Sequence, residues 1–338
     1  MLARRILPTG SAVIPSKSTT TGGDMTEIEM PLLLEARRVR REFLVTMEPH
    51  RPQLFAYCRR LCGNVWDAED LVQEALAKAF ARAAEEHNPV RNPLGWLIRV
   101  ATNAYIDGAR RARPALGVEV EHAAPAAADP VEVSDALAEL FTLLPPQERA
   151  AVVLKDVFDY PLAEIASMVG SSVGAVKSAL HRGRTTLAAD DREERAMRRP
   201  TPDPAVLKAA AEAFTAYDVD ALLAVVAADG VMDLVGMVYE TGPEQIRNGT
   251  LHHTFDLEDD VRYSADVREF DGEPVVAIWS RPADTSGDSG PTGLAEVWRC
   301  QTDDGRLTCI RDYFFCPEVV GEIAAAWSVP TVLHGYRY

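Results

Sequence analysis

The spacing of apolar residues changes near residue 230, and this constrains the fold of the 338-residue chain more than any other feature. Before that point, apolar side chains recur three and four residues apart, the period of helices that bury one stripe. Beyond it, short runs rich in Val, Ile, Tyr, Phe and Trp are separated by turn residues and read as strands. The pattern predicts helical domains followed by an α+β domain. The length allows two or three domains, each with its own core.

The clearest helix covers residues 67–80. Ala68, Leu71, Val72, Ala75, Leu76, Ala79, Phe80 and Ala83 form its stripe. Asp67 is the expected N-cap, Asp70 meets the free amides of the first turn, and Trp66 is placed to staple onto Leu71. Glu69, Asp70, Gln73, Glu74 and Lys78 remain for the outer face, either as a solvated surface or as a docking surface.

A second helix opens at Asn92 and Pro93 and runs to about Arg113, before Pro114. Leu97, Val100, Ala101, Ala104 and Gly108 suit its packed side. Trp96, Arg99, Asn103, Asp107, Arg110 and Arg111 recur on another. Guanidiniums neutralise phosphates, asparagine can bond base edges and tryptophan can stack on an unpaired base. A core tryptophan with a basic helix end would give the same pattern.

Residues 114–133 have no helical or strand period and read as a linker. Helices are expected over 134–158, broken at Pro145 and Pro146, followed by a helix-turn-helix. Its first helix carries Ala163, Ile165, Ala166 and Val169, and Gly170 makes the turn. Ser172 caps a second helix with Val176, Lys177, Ser178, Leu180, His181 and Arg182.

The run Asp-Ala-Glu-Asp-Leu-Val-Gln-Glu-Ala from Asp67 resembles the polymerase-binding helix of extracytoplasmic-function bacterial sigma factors. The run from Asn92 to Asp107 resembles their promoter-melting segment, and Leu144 to Leu187 their minus-35 recognition domain. The resemblance implies that Asp67, Asp70, Leu71, Gln73 and Glu74 contact core RNA polymerase, through its beta-prime and beta subunits. It implies that the loop 87–92 captures a flipped base, and that Asn92, Trp96, Arg99, Asn103, Asp107, Arg110, Arg111 and Arg113 contact minus-10 DNA. Ser172, Lys177, Ser178, His181, Arg182 and Arg184 then face minus-35 DNA. Val173, Ala175 and Ala179 stand where the family often has polar or basic side chains. Fewer contacts are therefore expected, with weak DNA binding by the isolated domain.

The formal charge of −16 is unevenly placed: residues 1–204 carry 26 basic and 28 acidic side chains, residues 205–338 carry 9 and 23. The acidic third should repel DNA and reads as a regulatory or ligand-binding appendage. Helices at 205–217 and 219–228 precede strands at 231–239, 261–270, 275–280, 294–300 and 307–315, with a short helix at 242–251. This order, and the run from Asp304 to Pro317, resemble the SnoaL-like α+β cone fused to some sigma factors, a family that also contains cyclases and isomerases. Asp233, His252, Asp312 and Tyr313 are the candidates for acid-base or donor roles in a pocket, with Trp279 and Trp298 as wall residues. A small ligand or a regulatory protein is the expected partner of this domain. An isomerase- or cyclase-like enzyme is the alternative reading of the whole chain.

Five cysteines, at 58, 62, 300, 309 and 316, form no C-x-x-C pair, so neither a metal nor another cofactor is expected. No apolar run reaches the length of a membrane span, and a bacterial cytoplasm is expected. The anticipated organisation is a disordered extension at 1–30 with Met25 as an alternative start, helical domains at 31–113 and 134–189, a charged hinge at 190–204, and the α+β domain at 205–338.

Overall fold

A computed structural model describes residues 29–83, 90–112, 144–188, 201–257, 261–282 and 293–333. Residues 1–28 of the expected extension, residues 87–89 of the loop 87–92, the linker 114–133, residues 134–143 and hinge residues 190–200 lie outside the described residues.

The first helical domain contains α1 (Glu29–Met47), α2 (Arg51–Cys62), α3 (Val65–Ala83) and α4 (Pro93–Ala112). Leu54, Leu61, Val72, Leu76, Leu97 and Ala101 fill its core, and the Tyr57 hydroxyl, paired with the Thr102 hydroxyl at 2.6 Å, satisfies two polar groups buried there. The second contains α5 (Pro146–Val152), a π-helical turn at Val153–Val157, α6 (Leu162–Met168) and α7 (Val173–Ala188). Gly170 takes φ +63° in the turn between α6 and α7, where a Cβ would be strained, and the Ser172 hydroxyl accepts from the Ala175 amide to cap α7.

The two helical domains pack directly on each other. Arg149 of α5 donates to the Leu61 carbonyl (2.6 Å) near the end of α2 and lies over the Tyr105 ring of α4. Phe158 meets Tyr57 edge to face.

The C-terminal domain begins with α8 (Pro204–Thr215), capped by Asp203, and α9 (Val219–Ala224), capped by Asp218. Strands β1 (Val226–Leu234), β2 (Val238–Thr241), β3 (Val261–Phe270), β4 (Glu273–Pro282), β5 (Gly293–Asp303) and β6 (Arg306–Asp312) form one sheet in the order β2-β1-β6-β5-β4-β3. Only the β1–β6 pairing in that order is parallel. A short α10 (Gly242–Ile246) with π turns follows β2, and α11 (Pro317–Trp327) closes the described fold.

The single strand expected at 231–239 is instead two strands. Gly236, at φ +80°, makes the turn between β1 and β2, a conformation that ends an extended run. The strand expected to reach 315 ends at Asp312 because the Asp312 carboxylate accepts from the Phe314 amide and turns the chain into α11.

Strand alternation gives the sheet two apolar faces. Val276, Ile278, Trp298 and Ile310 face α8, where Leu207 and Phe214 complete a core internal to this domain. Val275, Ala277, Val297 and Tyr313 face the other way, and with Val319, Val320 and Ile323 of α11 they join the core of the helical domains. The sheet is therefore covered on one side by its own helix and on the other partly by α3.

Candidate functional site

The α3 helix starts earlier than its carboxylates suggest. Asn64, not Asp67, is the cap: its Oδ1 accepts from the Asp67 amide and its Nδ2 donates to the Asp67 carboxylate, both at 2.9 Å. Asp67 thus sits at the third helical position, where its carboxylate holds the capping side chain in place. Leu71 belongs to the buried stripe with Ala68, Val72, Ala75, Leu76 and Ala79, as the period predicts.

Two residues of this helix differ from expectation. Trp66 does not staple onto Leu71; it is buried between Tyr313 (ring centroids 4.9 Å) and Phe270 (5.8 Å), with the Arg299 guanidinium over its face at 5.4 Å. Glu69, expected outside, is fully buried. It forms an ion pair with the equally buried Arg51 of α2 and accepts from Gln73 Nε2 at 2.7 Å, beneath Glu318 of α11. Both departures have one cause: the C-terminal domain, through its sheet and α11, covers the side of α3 that a helical period alone assigns to solvent.

The seam continues along the same face. Asp70 receives Arg311 of β6 at 2.6 Å, and the same guanidinium holds Asp233 of β1 at 3.0 Å. Gln73 lies against the β1–β2 turn so closely that a Cβ on Gly236 would come within 2.8 Å of its amide nitrogen. Arg59 of α2 meets Glu322 of α11 at 2.7 Å. Glu74 remains half exposed, paired with Lys78 at 2.7 Å. Of the five α3 residues singled out from the sequence, Asp70, Gln73 and Glu74 form one outward row, Asp67 serves the cap and Leu71 serves the core.

On α4 the Asn92 side chain accepts from the Gly95 amide, the expected cap. Trp96 is buried against Phe43 rather than displayed with the arginines. Thr102 and Ile106 are also buried, since α4 packs against both helical domains and so carries a broader apolar face than its sequence stripe. Arg99 and Asn103 are half-buried, and Asp107, Arg110 and Arg111 are exposed. Asp107 pairs with Arg110 at 3.6 Å, and Arg111 approaches Glu74 at 3.8 Å. Arg113 lies outside the described residues.

On α7, Ser172, Lys177, Ser178 and His181 are exposed. Ala179 is buried, so the absence of a polar group there costs no surface contact. Arg182 is held by Glu148 at 2.6 Å and Arg184 by Asp156 at 3.0 Å. Lys155, Lys177, His181 and Arg184 border a cleft of about 270 Å³ beside this helix.

The pocket candidates of the C-terminal domain do not converge. Trp298 and Asp312 face the inner core, where burial pushes the Asp312 carboxyl up to about 7 and also raises Glu240. Asp233 and Tyr313 belong to the seam with α3. Trp279 donates to Asp266 at 2.8 Å beneath Arg268, half-buried against the same core as Val275 and Ala277, and His252 is exposed. Neighbouring strand residues point to opposite faces, which separates Asp312 from Arg311 and Tyr313. The residues missed from sequence are Arg51, Arg299 and Arg311, which carry no local motif.

Residues 46–114 match the Sigma-70 region 2 family model and residues 134–187 the Sigma-70, region 4 model. The chain is 30% identical to the ECF RNA polymerase sigma factor SigW of Bacillus subtilis over 162 residues, 43% of this chain and 86% of that one. The chain belongs to the ECF sigma factors. It is also 32% identical to SigG of Mycobacterium tuberculosis over 230 residues, 58% of this chain but only 62% of SigG. The crystal structure of Mycobacterium tuberculosis extracytoplasmic function sigma factor SigJ covers 80% of this chain and 95% of its own, at 21% identity and a TM-score of 0.32. Among the described residues of this ECF sigma factor, no helix is long and apolar enough to cross a membrane.

Two measurements test the seam. Trp66→Ala removes the aromatic wedge between α3 and the sheet, and should lower stability by about 3 kcal/mol or more in chemical denaturation, with an early transition for the C-terminal domain. Burial pushes the Glu318 carboxyl up to about 7, opposed by Arg51 and reinforced by Glu69. A carboxyl raised in the folded state favours folding while protonated, so this contribution is full below the ordinary carboxylate range and is lost as pH rises through about 7. Glu318→Gln should therefore flatten the fall in melting temperature between pH 5.5 and 8; an unchanged slope would show that Glu318 does not titrate there.

Proposed function

We propose that this chain recruits core RNA polymerase through the outward row of α3 and directs it to promoters. In this reading α4 contacts and melts the minus-10 element and α7 reads the minus-35 element. The observation that carries it is the succession of regions 2 and 4 in their family order, with a capped recognition helix in the second. Lys177, Ser178 and His181 on α7, and Arg99, Asn103, Arg110 and Arg111 on α4, supply phosphate and base contacts of the kind DNA requires.

The described arrangement is the closed form of this machine. Asp70 and Gln73 are engaged by Arg311 and the Gly236 turn, and Arg182 and Arg184 are engaged by acids of their own domain. Polymerase that binds the α3 row competes with the C-terminal domain for it, so the acidic domain acts as an internal restraint on initiation. Promoter elements about 25 base pairs apart lie roughly 85 Å apart at 3.4 Å per pair, whereas the two helical domains share one core. Promoter engagement therefore requires them to separate.

The alternative, an isomerase- or cyclase-like enzyme, calls for acid, base and donor around one cavity. Its candidates are divided among the inner core, the seam side of the sheet and, for His252, the exposed surface.

Run-off transcription with purified core polymerase tests the reading: the full chain, or the chain with Arg311→Ala, should yield promoter-specific transcripts. The absence of any such transcript from either protein would refute it. In pull-downs, Glu74→Ala should weaken capture by core polymerase several-fold with little change in melting temperature, since Glu74 lies off the apolar stripe. Arg311→Ala should strengthen capture, because it frees Asp70 without altering α3; equal or weaker capture would remove the competitive restraint.

A further inference from the structure

A cavity of about 370 Å³ opens along the seam between the helical domain and the C-terminal sheet. It is at the small end of the roughly 300–1,000 Å³ range of small-molecule sites. One wall is Leu44, Leu76 and Phe80 from α1 and α3; the opposite wall is Val235 and Phe315 from the C-terminal domain. Three guanidiniums border it, those of Arg40, Arg51 and Arg311, against the single carboxylate of Asp233.

These three cations are not equivalent. Arg51 is engaged by Glu69, and Arg311 is shared between Asp70 and Asp233. Arg40 is exposed on α1, and no described acid pairs with it. The cavity therefore combines two apolar walls with an available guanidinium, a match for a molecule with one anionic head and a short apolar body.

We propose that this seam binds a small amphipathic monocarboxylate, its head on Arg40 and its apolar body between the two walls. Because the walls come from two domains, the complete site exists only while those domains are docked. A ligand that binds one arrangement in preference to another shifts the population toward it. The carboxylate is thus a corepressor: it holds the C-terminal domain on α3. This regulatory sense rests on the sigma-factor reading above, whereas binding itself does not.

Calorimetry on the full chain with butanoate, hexanoate and octanoate tests the site directly. Affinity should rise about fourfold per added methylene until the chain fills the cavity. Octanol should bind at least tenfold more weakly than octanoate. Arg40→Gln should weaken octanoate about tenfold while leaving octanol unchanged, and Ala77→Phe, which fills the cavity from an exposed position on α3, should abolish both. No octanoate binding at millimolar concentration, or binding indifferent to both substitutions, overturns the site.

Octanoate should also reduce capture of the full chain by immobilised core polymerase, and not of the Arg40→Gln chain. Binding without any change in capture overturns the corepressor role. A chain that polymerase does not capture even without octanoate defeats the sigma-factor reading instead, and calorimetry still decides the site.

Discussion

The burial of α3 on two opposite sides organises this molecule. One side packs on α2 and α4 through Ala68, Val72, Ala75 and Ala79. The other meets the C-terminal domain through the Trp66 wedge and the Asp70–Arg311 salt bridge, and it buries Glu69 in its pair with Arg51 of α2 beneath Glu318. The apolar wedge supplies the favourable free energy, since a buried tryptophan removes more surface from water than any other side chain at the seam. The ions supply register more than stability: desolvating such pairs costs about what their attraction returns, but an offset dock would part Asp70 from Arg311 and Arg59 from Glu322.

A seam of this composition is well suited to opening and closing. Arg311 is half-buried, Asp70 is 47% exposed on its side chain, and Arg59 with Glu322 is likewise reached by water. Pairs in that setting contribute little each and exchange partners readily. Trp66, Tyr313 and the Arg51–Glu69 pair, by contrast, are sealed from solvent. In the proposed reading the same α3 row serves as a polymerase-facing surface when free and as a domain-docking surface when closed.

The faces proposed to meet DNA follow a similar logic. Arg182 and Arg184 of α7 sit on Glu148 and Asp156, and Arg110 of α4 sits near Asp107. Each acid satisfies its guanidinium, and in the proposed reading that pair is given up when phosphate takes the acid's place. Such pairing lowers non-specific affinity for DNA in a chain that also carries an acidic appendage.

The sequence by itself determined the helices, their caps at Asn92 and Ser172, the helix-turn-helix, the apolar stripe of α3 and the α+β character of the last third. These depend on residues a few positions apart, and local periodicity reports them directly. Only the tertiary structure decided that Trp66 and Glu69 are buried, that Trp96 is a core residue and that Asp312 is parted from Arg311 and Tyr313. It also decided which acids hold Arg51, Arg299 and Arg311, whose partners Glu69, Glu273 and Asp70 are brought in from other elements. A helical period shows which side of α3 is apolar enough to be buried. Whether the polar side is also covered depends on a sheet more than a hundred residues away, and no local pattern encodes that encounter.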